Sequence, residues 1–162
     1  ELRKRKRPVS GRWFWDEMAI KVKGKLKWLY RAVDEDGDTI DFILSAKRDQ
    51  KAAMGFLKKA VRLHGIPGKI NTDKSGANAA GLKAFNDEHS TDIELRQVKY
   101  LNNIVEQDQR RVRQRTRPML GFKTFMSAAK TIAGIEMMVI IKKSQINIQG
   151  STPFEQFYAL AG

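Results

Sequence analysis

The stretch WFWDEMAIKVKGKLKWLYRAVDEDGDTIDFIL, residues 13–44, decides the architecture. From Trp13 to Val22 aromatic and aliphatic residues crowd an extended pattern, KGK at 23–25 supplies a turn, and Leu26–Val33 is a second strand rich in aromatics. The acidic turn DEDGD then leads into Ile40–Leu44, which closes a three-stranded meander. Asp49 is placed to cap a helix with Ala53, Phe56, Leu57, Ala60, Val61 and His64 on one face, and Gly65 with Pro67 ends it.

Further along, Lys69–Thr72 predicts a short strand, about Ala77–Glu88 a helix, and Ile93–Arg96 another strand. Helices follow over Asn103 to about Arg117 and Phe122 to about Lys142. The order is βββαβαβαα. It is the order of a ribonuclease H-like α/β fold, a mixed five-stranded sheet flanked by helices. In that architecture one acid sits on the first strand, one just after the fourth and one on the helix after the fifth. Asp16, Asp73 and Glu106 fall at those places.

The surroundings of these acids make them notable. The 162 residues carry 31 Lys+Arg against 18 Asp+Glu, a net charge of +13 and a pI near 10.1. Such a surface attracts phosphate backbones and gains from the counterions they release. Acids clustered within it call for a divalent cation. With no Cys, disulfides, thiol catalysis and Cys-ligated zinc are excluded, and two isolated His disfavour a His-based site, so any metal is expected to be held by oxygen. At 41% hydrophobic the chain can build one core of useful size. No apolar run approaches the roughly 20 residues of a membrane span, and no signal peptide is evident, so a cytoplasmic protein is expected.

Taken singly, each acid has a structural reading. Asp16 beside Glu17 could be a solvated strand end. Asp73 in TDKSGAN could start a turn or cap the next helix. Asn103-x-x-Glu106 has capping-box spacing. The basic residues divide likewise. Arg110, Arg111, Arg113, Arg115 and Arg117 are scattered around one helix, so no more than two or three can face the acids. Arg113, two turns from Glu106 on the same face, is the best candidate for a nucleic-acid phosphate, with Lys74 next. Arg110 and the hairpin lysines Lys23 and Lys25 are further candidates, whereas Arg111 and Arg115 read as generic surface charge. Trp13, Trp15, Trp28 and Phe42 read as sheet core, and IEMMVII at 135–141 as core or a partner surface.

The strings around the acids resemble the catalytic domain of the insertion sequence six family of bacterial DDE transposases. The resemblance covers roughly Trp13–Lys142 and rests on DExxIKVKGKxKxLYRAVDxDGxTIDFxLSAKRDxKAA, TDKSGAN, RQxKYLNNIVEQDxRRVRxRTRPMLGFKxF and TIAGIE. It implies that Asp16, Asp73 and Glu106 are catalytic metal ligands, and that Arg113 is the basic residue seven positions after the Glu. The cofactor implied is two Mg²⁺ ions, with Mn²⁺ an acceptable substitute. The implied activity is cleavage of double-stranded DNA at the ends of a mobile element and transfer of the 3′-hydroxyl ends to target DNA, by a homodimer on the bacterial nucleoid. Two departures stand out: Met18 and Ala19 replace the usual Thr and Tyr, and the interval between Asp73 and Glu106 is slightly short. A non-catalytic DNA-binding relic is the alternative, and a ribonuclease H-type nuclease shares fold and metals.

The expected organisation is a basic linker or arm at 1–12, the catalytic domain at 13–142 and a C-terminal tail at 143–162. The arm, ELRKRKRPVSGR, reads as the end of a linker, and an upstream helix-turn-helix segment is implied by the resemblance. Three carboxylates in one site should hold protons more tightly than usual until a cation displaces them.

Overall fold

A computed structural model describes residues 6–146 and 152–161, the last two by their backbone alone. Residues 1–5, with most of the basic arm, and residues 147–151 and 162 of the tail lie outside the described residues. The strands are β1 (Arg12–Val22), β2 (Lys25–Asp34), β3 (Thr39–Ser45), β4 (Lys69–Thr72) and β5 (Glu94–Arg96). The helices are α1 (Gln50–His64), α2 (Gly76–His89), α3 (Asn103–Thr116), α4 (Phe125–Lys142) and α5 (Pro153–Ala161). One mixed sheet runs β3-β2-β1-β4-β5, antiparallel across the meander and parallel where β4 joins β1 and β5 joins β4.

The meander follows from local chemistry. Lys23 and Gly24 both take positive φ, 48° and 72°, and Val22 pairs with Lys25. This is the two-residue reversal whose twist suits an antiparallel pair, and Gly24 makes it accessible. At the other turn Asp34 Oδ1 accepts from the N–H groups of Asp36 at 3.1 Å and Asp38 at 2.8 Å. Asp49 caps α1 as expected, accepting from the Ala52 N–H at 2.8 Å, and Gly65 ends it at φ 84°.

Alternation along β1 sends side chains to two different layers. Trp13 and Trp15 join Tyr30, Ala32, Phe56, Leu57, Leu82 and Phe85 beneath α1 and α2. Phe14 meets Val33 and Val105, while Met18, Ile20 and Val22 meet Leu29, Val112 and Ile132 beneath α3 and α4. Trp28 and Phe42 are half-buried at the margins of these two layers. The helices α1 and α2 approach closely at Gly81, where a Cβ would come within 2.7 Å of Ala53 Cβ. Within the IEMMVII stretch, Glu136, Val139, Ile140 and Ile141 are buried. It is core, with one acid inside.

Two details differ from the expected helix ends. Helix α4 starts at Phe125, because Thr124 and Ser127 form a reciprocal capping box. Helix α3 has no such box: a 3-10 turn over Lys99–Asn102 runs straight into it, Asn102 and Asn103 are both helical in backbone, and no side chain caps the start. Glu106 is therefore not engaged in capping. Lys6 and Arg7 pack on the domain, Lys6 donating to the Thr39 and Ile40 carbonyls and Arg7 pairing with Asp38 at 3.0 Å.

Candidate functional site

The parallel ladder between β1 and β4 ends at the pair Trp15–Thr72. Asp16 and Asp73 are the next residue on each strand, so both leave the sheet side by side where the two strands part. Carboxylate oxygens of Asp16, Glu17 and Asp73 all lie within 4.8 Å of one another. Glu106 stands outside that set, exposed on the first turns of α3, yet close enough for its charge to act on Asp16.

Glu106 is positioned through β4. Asn71, fully buried, donates to the Val98 carbonyl at 3.3 Å and to Asn102 Oδ1, tying the strand that precedes Asp73 to the residue that precedes α3. Asp73 also serves the turn the sequence suggested, its Oδ1 accepting from the Ser75 N–H at 2.9 Å. One oxygen of a carboxylate can do this while the group remains a ligand.

Asp16 is the perturbed acid. Its pKa is pushed from the usual 3.8 up to about 7, first by burial and then by the charges of Glu17, Asp73 and Glu106, against a lowering contribution from the Glu17 N–H. At Asp16 the direction is the expected one, but burial outweighs repulsion as its cause. A cation capable of relieving it is close by. Arg31 is the cross-strand partner of Asp16, but its guanidinium turns into the core, 2.6 Å from Asp108 and 2.9 Å from Glu136, with Lys143 also on Asp108 at 2.8 Å. Arg31 is thus spent on buried acids, and among the described residues no cation offsets the burial and repulsion that raise the Asp16 pKa.

Glu17, which sequence reasoning treated only as a neighbour, is buried on the opposite face. Arg48 and Asn78 hold its two oxygens. No spacing signal links residues 17, 48 and 78; only the fold brings them together.

The basic candidates separate in space. Arg113 lines a groove with Ala19, Ile20, Lys21, Arg117 and Leu120–Phe122. Beside it the Lys23 N–H donates to the Phe122 carbonyl and the Phe122 N–H to the Lys21 carbonyl, tying the segment after α3 to the end of β1. Lys23 lines an adjoining cleft with Lys21 and Lys123, and Lys25 is exposed beside it at the same turn. Val22 lies six residues along β1 from Asp16, about 20 Å at strand rise, so these lysines and the acids cannot share a phosphate. Lys74 and Arg110 are exposed. Arg111 and Arg115 line another cleft, with Ile135 and Met138. Met18 is core and Ala19 lines the groove, so neither departure from the family pattern displaces an acid.

The family model described as a DDE domain, of the IS240 group, matches residues 10–145. The chain belongs to the DDE domain family. It is similar to the transposase for the insertion sequence-like element IS431mec of Staphylococcus aureus, 36% identical over 155 residues covering 91% of this chain and 65% of that protein. The same figures apply to the transposase for insertion sequence element IS257 in transposon Tn4003. The chain thus spans a little under two thirds of the length of these relatives. Among solved structures, the catalytic core domain of BIV integrase aligns with a TM-score of 0.56 at 14% identity, over 91% of this chain and 95% of that one. The HTLV-2 integrase catalytic core domain in complex with magnesium aligns with a TM-score of 0.54 at 19% identity, over 67% and 71%. The fold of this DDE domain is accordingly the ribonuclease H-like fold of integrase cores. Among the described residues no helix is long and apolar enough to cross a membrane.

Proposed function

We propose that this domain is the catalytic core of a transposase that cleaves double-stranded DNA at the ends of a mobile element and joins the 3′-hydroxyl ends to target DNA. The observation that carries the reading is the convergence of Asp16 and Asp73 at the end of a shared parallel ladder, their oxygens within 4.8 Å, with Glu106 charging the same space. The donor set suits Mg²⁺ or Mn²⁺: hard oxygens only, and an acid left uncompensated. Asp16, Asp73 and Glu106 would hold two ions, which when bound supply activation of the attacking oxygen and neutralisation of the leaving one.

The remaining roles fall to the chain's basic residues. Lys74 and Arg110 would hold phosphates near the scissile bond, and Arg113, in the groove lined by Ala19, Ile20 and Lys21, a phosphate farther along the strand. Lys23 and Lys25 would hold the duplex farther along. A homodimer acting on nucleoid DNA in the cytoplasm fits this reading. The retention of all three acids, with Asp16 and Asp73 side by side, supports chemistry over a DNA-binding relic.

The test is joining of a pre-cleaved element-end oligonucleotide to target DNA in Mg²⁺ or Mn²⁺. Asp16→Asn, Asp73→Asn and Glu106→Gln should each lower joining by about 100-fold or more, the consequence of losing several kcal/mol of transition-state stabilisation, with DNA affinity unchanged. Near wild-type joining by any one of them removes that residue from the site.

A further inference from the structure

We propose that Glu17, Asn78 and Arg48 form a bracket that fixes the separation of Asp16 and Asp73, making Glu17 and Asn78 positioning residues for the metal site and not ligands of it. This rests on the metal-site reading above. By distance alone Glu17 would pass for a ligand, since its carboxylate lies within 4.8 Å of those of Asp16 and Asp73. Its bonding assigns it elsewhere. Oε1 accepts from Arg48 Nε at 2.6 Å, with Arg48 Nη2 also at 2.6 Å, and Oε2 accepts from Asn78 Nδ2 at 2.6 Å. The Glu17 side chain is 1% exposed, and the Arg48 guanidinium lies over the Trp28 ring, 4.8 Å from its centre.

Asn78 supplies the connection. The same Nδ2 that donates to Glu17 donates to Thr72 Oγ1 at 3.1 Å. Glu17 is the residue after Asp16, and Thr72 the residue before Asp73. The amide therefore ties Thr72, in the last ladder pair Trp15–Thr72, to Glu17, two residues farther along β1, across the point where the ladder's backbone hydrogen bonds end. Two carboxylates with no cation between them repel, and this crosspiece opposes their spreading. Arg48 meanwhile satisfies the Glu17 charge, so that Glu17 does not compete with Asp16 and Asp73 for the ion. The arrangement has a cost: Asn78 is fully buried, and its Oδ1 finds no hydrogen-bond partner among the described residues. Such a buried orphan calls for an explanation, and holding two strands at a fixed separation provides one.

The experiment is Mn²⁺ binding to the 162-residue chain by titration calorimetry, with the metal-free melting temperature recorded alongside. Wild type should bind and Asp16→Asn should not. Asn78→Ala should weaken Mn²⁺ binding about 10-fold or more, in the range found when a residue supporting a metal ligand is removed. Glu17→Gln should weaken it similarly. The exchange Glu17→Gln with Asn78→Asp, which reverses the carboxylate–amide hydrogen bond and keeps a negative charge for Arg48, should return affinity to within about threefold of wild type. Should Asn78→Ala fail to fold, Thr72→Val removes one anchor of the amide at nearly constant volume and should weaken binding about threefold.

Unchanged Mn²⁺ affinity in Asn78→Ala, with only the metal-free melting temperature lowered, overturns the proposal and leaves the bracket a structural tie. An exchange variant no better than Glu17→Gln alone overturns it in favour of Glu17 as a ligand. If instead wild type binds no Mn²⁺, or Asp16→Asn binds it normally, the metal-site reading itself falls, and the bracket falls with it.

Discussion

Replacing Asp16 by Asn should stabilise the metal-free protein at alkaline pH. The structure lifts the Asp16 pKa from 3.8 to about 7. Between those values the folded chain keeps a proton that the unfolded chain has already lost. The native state then binds more protons than the unfolded one, so stability falls as pH rises from about 4 to about 7 and levels off above. At about 1.4 kcal/mol for each tenfold in the proton equilibrium, the ceiling on this loss is about 4 kcal/mol. For a domain of this size that corresponds to about 10 °C in melting temperature.

The Asn side chain is isosteric with the protonated acid and carries no charge to desolvate. Asp16→Asn should therefore match wild type near pH 4 and exceed it by up to that ceiling at pH 8. Urea unfolding of both proteins in EDTA, at half-unit steps from pH 4 to 8, measures the difference directly. Glu136 and Asp38 are also raised, chiefly by burial, and give slopes of the same sign in both proteins, so the comparison isolates Asp16. Mg²⁺ at pH 8 should raise the melting temperature of wild type and leave the variant unmoved. Parallel stability–pH curves in EDTA would refute the placement of Asp16 in a charge-repelling, desolvated cluster.

Arg31→Leu should cost about 3–5 kcal/mol in urea unfolding, because Asp108 and Glu136 lose the guanidinium that compensates them inside the protein; a loss below about 1 kcal/mol would show that the acids simply protonate or repack. Lys23→Ala combined with Lys25→Ala should lower the salt slope of log K for duplex DNA by about 1.8, near 0.9 for each phosphate contact, with joining at saturating DNA unchanged. Fluorescence anisotropy over a range of salt reads the slope, and an unaltered slope would place the duplex away from this turn.

The meander and α1 were legible because their signals are local. The strand limits expected at Trp13–Val22, Leu26–Val33 and Ile40–Leu44 fall within one residue of those observed, and Asp49 caps as its position suggests. The acids Asp16 and Asp73 were legible through element order, since strand ends in a parallel pair are brought together by the ladder. What escaped was non-local. Nothing in the spacing of Arg31, Asp108 and Glu136 announces a buried ion cluster, and nothing near Glu17 announces Arg48 or Asn78. The capping box at Asn103 failed for a related reason: Asn102 is engaged by Asn71 across the sheet, and a 3-10 turn delivers the chain into α3 already helical.

The Trp15–Thr72 register makes sequence distance a poor ruler for this site. The chain between Asp16 and Asp73 can lengthen or shorten in the turns of the meander or between α1 and β4 without moving either carboxylate, because their alignment is counted from the ladder and not along the chain. One residue added inside β4 itself is a different matter. It would turn Asp73 toward the other face of the sheet while preserving nearly every residue of the motif around it. Length variation among related chains should therefore collect in the connections and be missing from the four residues of β4. A relative whose motif strings are intact but whose β4 has gained or lost a residue should be inactive, however well its acids align on paper.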